Sequence, residues 1–266
     1  MPLTDYQKGI ARLIAANRTP ESHLAGGAVI NRGDSGSRVS DDFHDIPKEG
    51  RTAGEIVAAY AEADERLLKE TGYSVEWQER REGFFRALVR RGDGLVQLDW
   101  TTDSAYRFFP VQRDEDFGYC LHPADLATNK VLALVGRSKV RDFLDILQLD
   151  REYLSLGAIV WAACAKDPGY TPDLILNMTN RHSSYRASDL EDANLVRPVD
   201  LRELKLQWIA ARERAEILFD QLPEDELGCL YLDPENRPVT PDPGSPEFPN
   251  LIRHWGSLGG AWPTIS

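Results

Sequence analysis

The 266-residue chain has only three cysteines, Cys120, Cys164 and Cys229. They lie far apart and form no CxxC, which argues against a disulfide frame and suits a reducing compartment. The five histidines show neither HExxH nor zinc-finger spacing. No apolar run approaches the roughly 20 residues that a membrane helix needs. The first residues, M-P-L-T-D-Y-Q-K-G, lack the basic region and apolar core of a signal peptide. The expectation is a cytoplasmic protein with no membrane partner. Internal repeats and low-complexity segments are absent from the sequence. So is a G-x-S-x-G elbow, which removes a nucleophile reading of Ser22-His23. Basic charge is scarce too: 31 Lys and Arg face 43 Asp and Glu, for a net charge of -12. That balance argues against broad binding to a nucleic acid backbone, while leaving room for a local basic site at Arg137, Lys139 and Arg141.

What is present reads as α+β. The length suffices for a real core. Tyr6, Ile10, Leu13 and Ile14 predict a short amphipathic helix within residues 4–17. Thr19-Pro20-Glu21 predicts a second helix or a turn, with Gly26 and Gly27 ending a helical lead-in. Gly33–Ser37 is loop by composition, and Phe43 and Ile46 suggest a short strand edge. Thr52–Thr71 carries one apolar stripe, with Gly72 as its stop. Strands are expected over Tyr73–Trp77, Phe84–Val89 and Leu95–Trp100, the last two joined by a hairpin with an Asp93-Gly94 signal. From Pro123 the period turns helical: Leu126–Val135, then Lys139–Leu149 capped by Ser138, Ser155–Lys166, Pro172–Asn180 and Leu201–Leu222. Leu230–Leu232 reads as a last strand and the chain after Thr240 as an irregular tail. Three regions follow: an α+β domain over 1–120, a helical domain over 121–225 and a Pro/Gly-rich tail over 226–266.

Chemistry concentrates in three places. The stretch Leu24–Asp45 holds Gly26-Gly27, then Arg38, Ser40, Asp41, Asp42, His44 and Asp45. Carboxylates this crowded repel unless solvent or a cation separates them, so the stretch is either a solvated acidic loop or a divalent-metal site. Asp99 stands inside a strand pattern, V-Q-L-D-W, where aspartate is disfavoured. It faces solvent or lines a site. Lys130 lies in an otherwise apolar helix, as a snorkelling surface residue or a functional one. Asp142 and Asp145 share a helix face at i, i+3, and Asp142 in a first turn also suits the helix dipole.

In this order the motifs resemble the nucleotidyltransferase superfamily. The block N-K-V-L-A-L-V-G-R-S-K-V-R-D-F-L-D-I is similar to that of the AbiEii/AbiGii-toxin type. The resemblance covers about Leu24–Leu149. It implies a polymerase-β-like core, a mixed sheet with flanking helices, followed by a mainly helical C-terminal region. It implies transfer of a nucleotide from a nucleoside triphosphate to an RNA or protein acceptor with Mg2+ or Mn2+, and an antitoxin protein as partner. By the same resemblance Asp42, Asp99, Lys130 and Asp142 are catalytic. Gly26, Gly27, Ser40, Lys130 and Arg141 bind nucleotide, and Asp42, His44, Asp45 and Asp99 hold metal. The family's Asp-φ-Asp, where φ is apolar, is altered here. Ungapped, His44 takes the second ligand position; with a bulge, Asp45 does. A histidine suits Mn2+ or Zn2+ better than Mg2+. The alternative is a fold retained as a silent binding module. A metallohydrolase using His44, Asp45 and His122 lacks recognisable ligand spacing.

Overall fold

The computed structural model describes residues 3–31, 43–45, 52–191, 195 and 199–263, with residues 43–45 described by their backbone. Arg38, Ser40, Asp41 and Asp42, the predicted loop over 33–37 and Ile46 lie outside the described residues. The chain divides into two units. One comprises Met1–Ala105 and Pro110–His122, the other Tyr106–Phe109 and Pro123–Ser266.

The first unit is α+β, a mixed seven-stranded sheet with flanking helices. Helix α1 (Asp5–Ile14) starts in a capping box in which Thr4 and Gln7 satisfy each other's backbone amides. After a turn at Thr19–Ser22 comes β1 (Ser22–Leu24), then α2 (Gly27–Ile30). The glycine pair therefore opens a helix rather than ending one, and Leu24 stands on a strand. The reason is Gly26, whose φ of 69° and ψ of -152° lie where only glycine is at ease. Strand β2 (Phe43–Asp45) follows, then α3 (Ala53–Glu70), capped by Thr52 and Glu55 and stopped at Gly72 with φ 87°. Strands β3 (Ser74–Arg81), β4 (Phe84–Arg91) and β5 (Gly94–Thr102) form two hairpins. The turn of the second is Gly92-Asp93 rather than Asp93-Gly94. Arg91 pairs with Gly94, and the positive φ falls on Gly92, as a primed turn with glycine first requires.

The chain then leaves for β6 (Tyr106–Arg107) in the second unit and returns for β7 (Gln112–Asp114) and β8 (Gly118–Cys120). The large sheet has the order β3-β4-β5-β2-β1-β8-β7. Strand β2 is thus internal, not an edge. It runs parallel to β5 and antiparallel to β1.

Beneath this sheet lies a polar knot that composition does not reveal. Asp64 of α3 is fully buried. Its carboxylate accepts from Asn17 Nδ2 at 2.8 Å and Trp100 Nε1 at 2.8 Å, and pairs with the equally buried Arg18. Arg18 also donates to Ser22 Oγ and to the Ile14 carbonyl. One side chain thereby ties α3 to the entry of β1 and to the middle of β5.

The second unit is mainly helical: α4 (Pro123–Gly136), α5 (Val140–Glu152), α6 (Leu156–Ala163), α7 (Pro172–Thr179), α8 (Ala187–Glu191) and α9 (Leu201–Phe219). Ser138 does not cap α5. Lys139 holds that position and makes no side-chain capping bond. The chain after Thr240 is not wholly irregular. Strand β10 (Ile252–His254) pairs with β9 (Leu230–Leu232), and β11 (Ser257–Leu258) pairs with β6. The excursion at Tyr106–Phe109 is held from both sides. The Phe108 and Phe109 amides donate to the buried Asp125 carboxylate, which Lys166 neutralises at 2.9 Å. His254 Nε2 and the Ala261 amide donate to the Phe108 carbonyl.

Removing one partner of a buried ion pair strands the other, at a cost of about 3–5 kcal/mol. Asp64→Ala should lower unfolding free energy by about that much, read as the midpoint of denaturant unfolding followed by tryptophan emission. An unchanged midpoint would show that the knot contributes nothing.

Candidate functional site

In the first unit, β1, β2 and β5 lie side by side. Their registers run Leu24–Phe43–Trp100, His23–His44–Thr101 and Ser22–Asp45–Thr102, with no shift within residues 43–45. Residues directly opposite across a sheet share a face, and successive residues alternate. Trp100 and Ser22 reach the Asp64–Arg18 knot, so their face is the one covered by α3. Position 45 therefore stands on the α3 face. Position 44 stands on the other, with His23, Thr101 and Asp99. The chain leaves β1 directly into Gly26-Gly27, so the glycine turn lies at the end of the strand next to β2.

Asp99 is buried and paired. Arg86, its direct partner across β4 and β5, grips both oxygens through Nε at 2.8 Å and Nη2 at 2.7 Å, and Gln97 Nε2 donates at 3.2 Å. The solvent-facing reading of Asp99 is thereby excluded. A carboxylate offers about four acceptor positions, so these three bonds leave room for one further donor or cation. His23, set aside by sequence reasoning, is fully buried on the same face, with Nε2 4.0 Å from Asp103 Oδ2. Its only sequence signal is a histidine one residue before the apolar lead into the glycine pair.

The second unit brings together Lys130, Asp142 and Asp145. Lys130 is not a snorkelling surface residue: its side chain is 4% exposed and the two aspartates are 0% exposed. Lys130 Nζ lies 3.0 Å from Asp142 Oδ1 and 3.0 Å from Asp145 Oδ2. Arg137, which the sequence places in a basic cluster and in the Gly-Arg of the resembling block but not among the candidate site residues, completes the group. Its Nε is 2.7 Å and its Nη2 3.2 Å from the Asp142 oxygens, and its side chain is half exposed. The four groups balance in charge and clasp α4 to α5. Burial alone would raise the Asp142 pKa, but Lys130 and Arg137 overcome this and hold it well below the carboxylate range. Arg141 is half-buried and makes no ion pair with another described residue. Chemically, Arg137 offers a guanidinium already oriented by a carboxylate, an arrangement suited to an anionic ligand.

Next to this group, Arg181 and His182 donate to the last carbonyls of α4. His182 Nε2 is 2.7 Å from the Leu134 oxygen, and Arg181 Nη2 binds the Leu134 and Val135 oxygens. With Nε2–H donated, Nδ1 of a neutral His182 accepts from Tyr185 Oη at 2.6 Å. Burial lowers the His182 pKa, consistent with that neutral form, and raises Tyr185 to about 12.

No protein-family model and no curated protein matches the sequence. Two solved structures do match at the level of shape: JHP933 from Helicobacter pylori and a candidate nucleotidyltransferase from the same species. Each is 17% identical and covers 82% of this chain and 96% of its own, with TM-scores of 0.49 and 0.46. Likeness at this distance carries no assignment of activity.

Because the Asp142 pKa is depressed in the folded chain, its contribution to stability is complete above the unfolded value of about 4 and is lost as pH falls below it. Lys130→Met should destabilise by about 3–5 kcal/mol at pH 7. The deficit should shrink on acidification, as the stranded carboxylates take up protons. Denaturant melts at pH 7 and pH 4 check this. A deficit that stays constant with pH would mean that Lys130 contributes packing rather than charge.

Proposed function

We propose that the chain is a metal-dependent nucleotidyltransferase that moves a nucleotide from a nucleoside triphosphate to an RNA or protein acceptor. The observation that supports this reading is the strand order β5-β2-β1. It sets Asp99 on the strand parallel to the carboxylate-bearing stretch, with the Gly26-Gly27 turn on the next strand over. The order brings to adjacent strands three of the motifs on which the sequence resemblance rests, although α3 and two hairpin strands separate the first from the last in the chain.

In this reading Asp99 and the position-44 histidine, with Asp42, supply the cation ligands. The donor set of imidazole and carboxylate fits Mn2+ better than Mg2+, which prefers oxygen alone. A divalent cation bound there would neutralise the triphosphate and favour attack of an acceptor hydroxyl on the α-phosphorus. Gly26, with no Cβ and a conformation closed to other residues, lets the backbone approach the phosphates. Arg86 and Gln97 fix the Asp99 carboxylate and leave it one acceptor position.

A second reading, a silent binding module of this fold, draws on the same pair. The bidentate grip of Arg86 offsets the charge that Asp99 would lend a cation. The two readings part in one assay: transfer of α-labelled nucleoside triphosphates, each base separately, into bacterial RNA and protein with Mg2+ or Mn2+. Label should appear with the wild type and fall to background with Asp42→Ala and with Asp99→Asn. Label that persists in both variants would overturn the ligand assignment. Nucleotide binding without label in any of the three would favour the silent module.

A further inference from the structure

We propose that the outer face of α9 is an interface for a second copy of the chain, the two helices packing antiparallel about a twofold axis. The pairing neither uses nor requires the transfer chemistry of the first unit.

This helix is apolar on two sides. Its inner stripe, Trp208, Ala211, Ala215 and Leu218, is buried. Trp208 packs on Phe143 of α5 with ring centroids 5.5 Å apart, and Gly157 of α6 has no room for a Cβ against Ala215 and Leu218. On the opposite side stand Leu206, Ile209 and Ile217, which are 58%, 48% and 59% exposed. At about 100° per residue the three fall within roughly 80° of one another around the axis. Single exposed apolar residues are ordinary. An aligned set on a helix already anchored by its other face marks a helix covered from both sides. The exposed positions Arg202, Leu206, Ile209, Glu213, Glu216 and Asp220 recur at alternating steps of four and three, the heptad seam of a helix pair.

Charge names the occupant. Along the seam a base, Arg202, opens the helix, and Glu213, Glu216 and Asp220 close it. That order opposes the helix dipole, which favours acids in the first turn and bases in the last. Beside the seam, Glu203 accepts from Gln207 and Arg214 is committed to Asp150. Glu216 lies 3.8 Å from Arg212 of its own helix, whereas Arg202, Glu213 and Asp220 form no ion pair with another described residue. An antiparallel copy, with the twofold axis level with Ala211, sets Arg202 against Asp220 at both ends of the contact. It sets Leu206 against Glu216 and its neighbour Ile217, and Ile209 against the stem of Glu213. A parallel copy would stack Arg202 on Arg202 and Asp220 on Asp220. The same patch serves both copies, as a twofold contact requires. Apolar side chains supply the affinity and charge sets the direction. The seam is about 27 Å long, and one helix pair buries less than a permanent dimer does, so the contact belongs to the weak, reversible class.

Sedimentation equilibrium of the full chain, from about 1 to 200 μM, tests this. The wild type should pass from the 29.9 kDa monomer toward twice that mass, with a dissociation constant on the order of 10 μM. Leu206→Glu and Ile209→Glu should each weaken the dimer by about tenfold or more. Both residues are exposed, so the variants should fold, and circular dichroism checks that they do. Glu213→Leu should tighten the dimer, because it completes the apolar seam. Arg202→Asp and Asp220→Arg should each weaken it by about threefold or more, and the two exchanged together should restore it. A wild type that stays monomeric at the highest concentration would overturn the proposal and leave the stripe to another occupant. A dimer indifferent to both Leu206→Glu and Ile209→Glu would overturn it too. A dimer lost in Leu206→Glu but not restored by the charge exchange would overturn the antiparallel pairing.

Discussion

The buried carboxylate of Asp64 sets the geometry on which the first unit depends. An ionised aspartate inside a helix's apolar face is tolerated only when its charge is paired and its remaining lone pairs are used. Arg18, Asn17 and Trp100 do this from the chain entering β1 and from β5. These are the two strands that flank β2. The three-residue strand contributes few hydrogen bonds of its own, so its place and face follow from neighbours that are already fixed. Displacing Arg18 or Trp100 by one position would turn the alternation of those strands and carry His23 and Asp99 to the wrong side.

The second unit repeats the device. Asp142 and Asp145 join α5 to α4 through Lys130, and Asp125 gathers two backbone amides and Lys166. A chain with a net charge of -12 thus spends several of its acids on interior joints rather than on solvation. Such joints specify position more than they add stability, because burial of each charge offsets most of the attraction. The clasp also gives Arg137 a fixed posture at the surface.

The sequence showed elements whose information is local. The α3 stripe, its Thr52 and Gly72 ends and the β4–β5 hairpin were legible because period and turn chemistry lie within a few residues. The hairpin turn shifted by one residue because glycine at the first turn position satisfies a primed turn as well as glycine at the second. The glycine pair was misread because a helix end and a helix start both call for glycine, and only the ψ of Gly26 separates them. The interior position of β2 was illegible, since three residues carry no alternation and their partners lie far along the chain. Asp64 and Asp125 looked like ordinary helix acids, for a sequence does not say which face of a helix meets an arginine or a backbone turn. Asp99 and Lys130 stood out as polar groups in apolar settings, and both are buried. What they bond to, Arg86 and a pair of aspartates, followed from tertiary contacts alone.

The excursion of Tyr106–Phe109 makes the two units inseparable by inheritance. A genetic exchange at the boundary between His122 and Pro123 would transfer the helices without the Phe108–Phe109 backbone that Asp125 and His254 bond, with Lys166 on Asp125. The recipient would inherit three polar side chains built around a missing backbone. The two units can therefore diverge in sequence, but neither can be passed on as a cassette. During synthesis, the four-residue segment Tyr106–Phe109 also leaves the ribosome before any helix that will hold it. The second unit must wait for its C-terminal strands before that segment is covered on both sides.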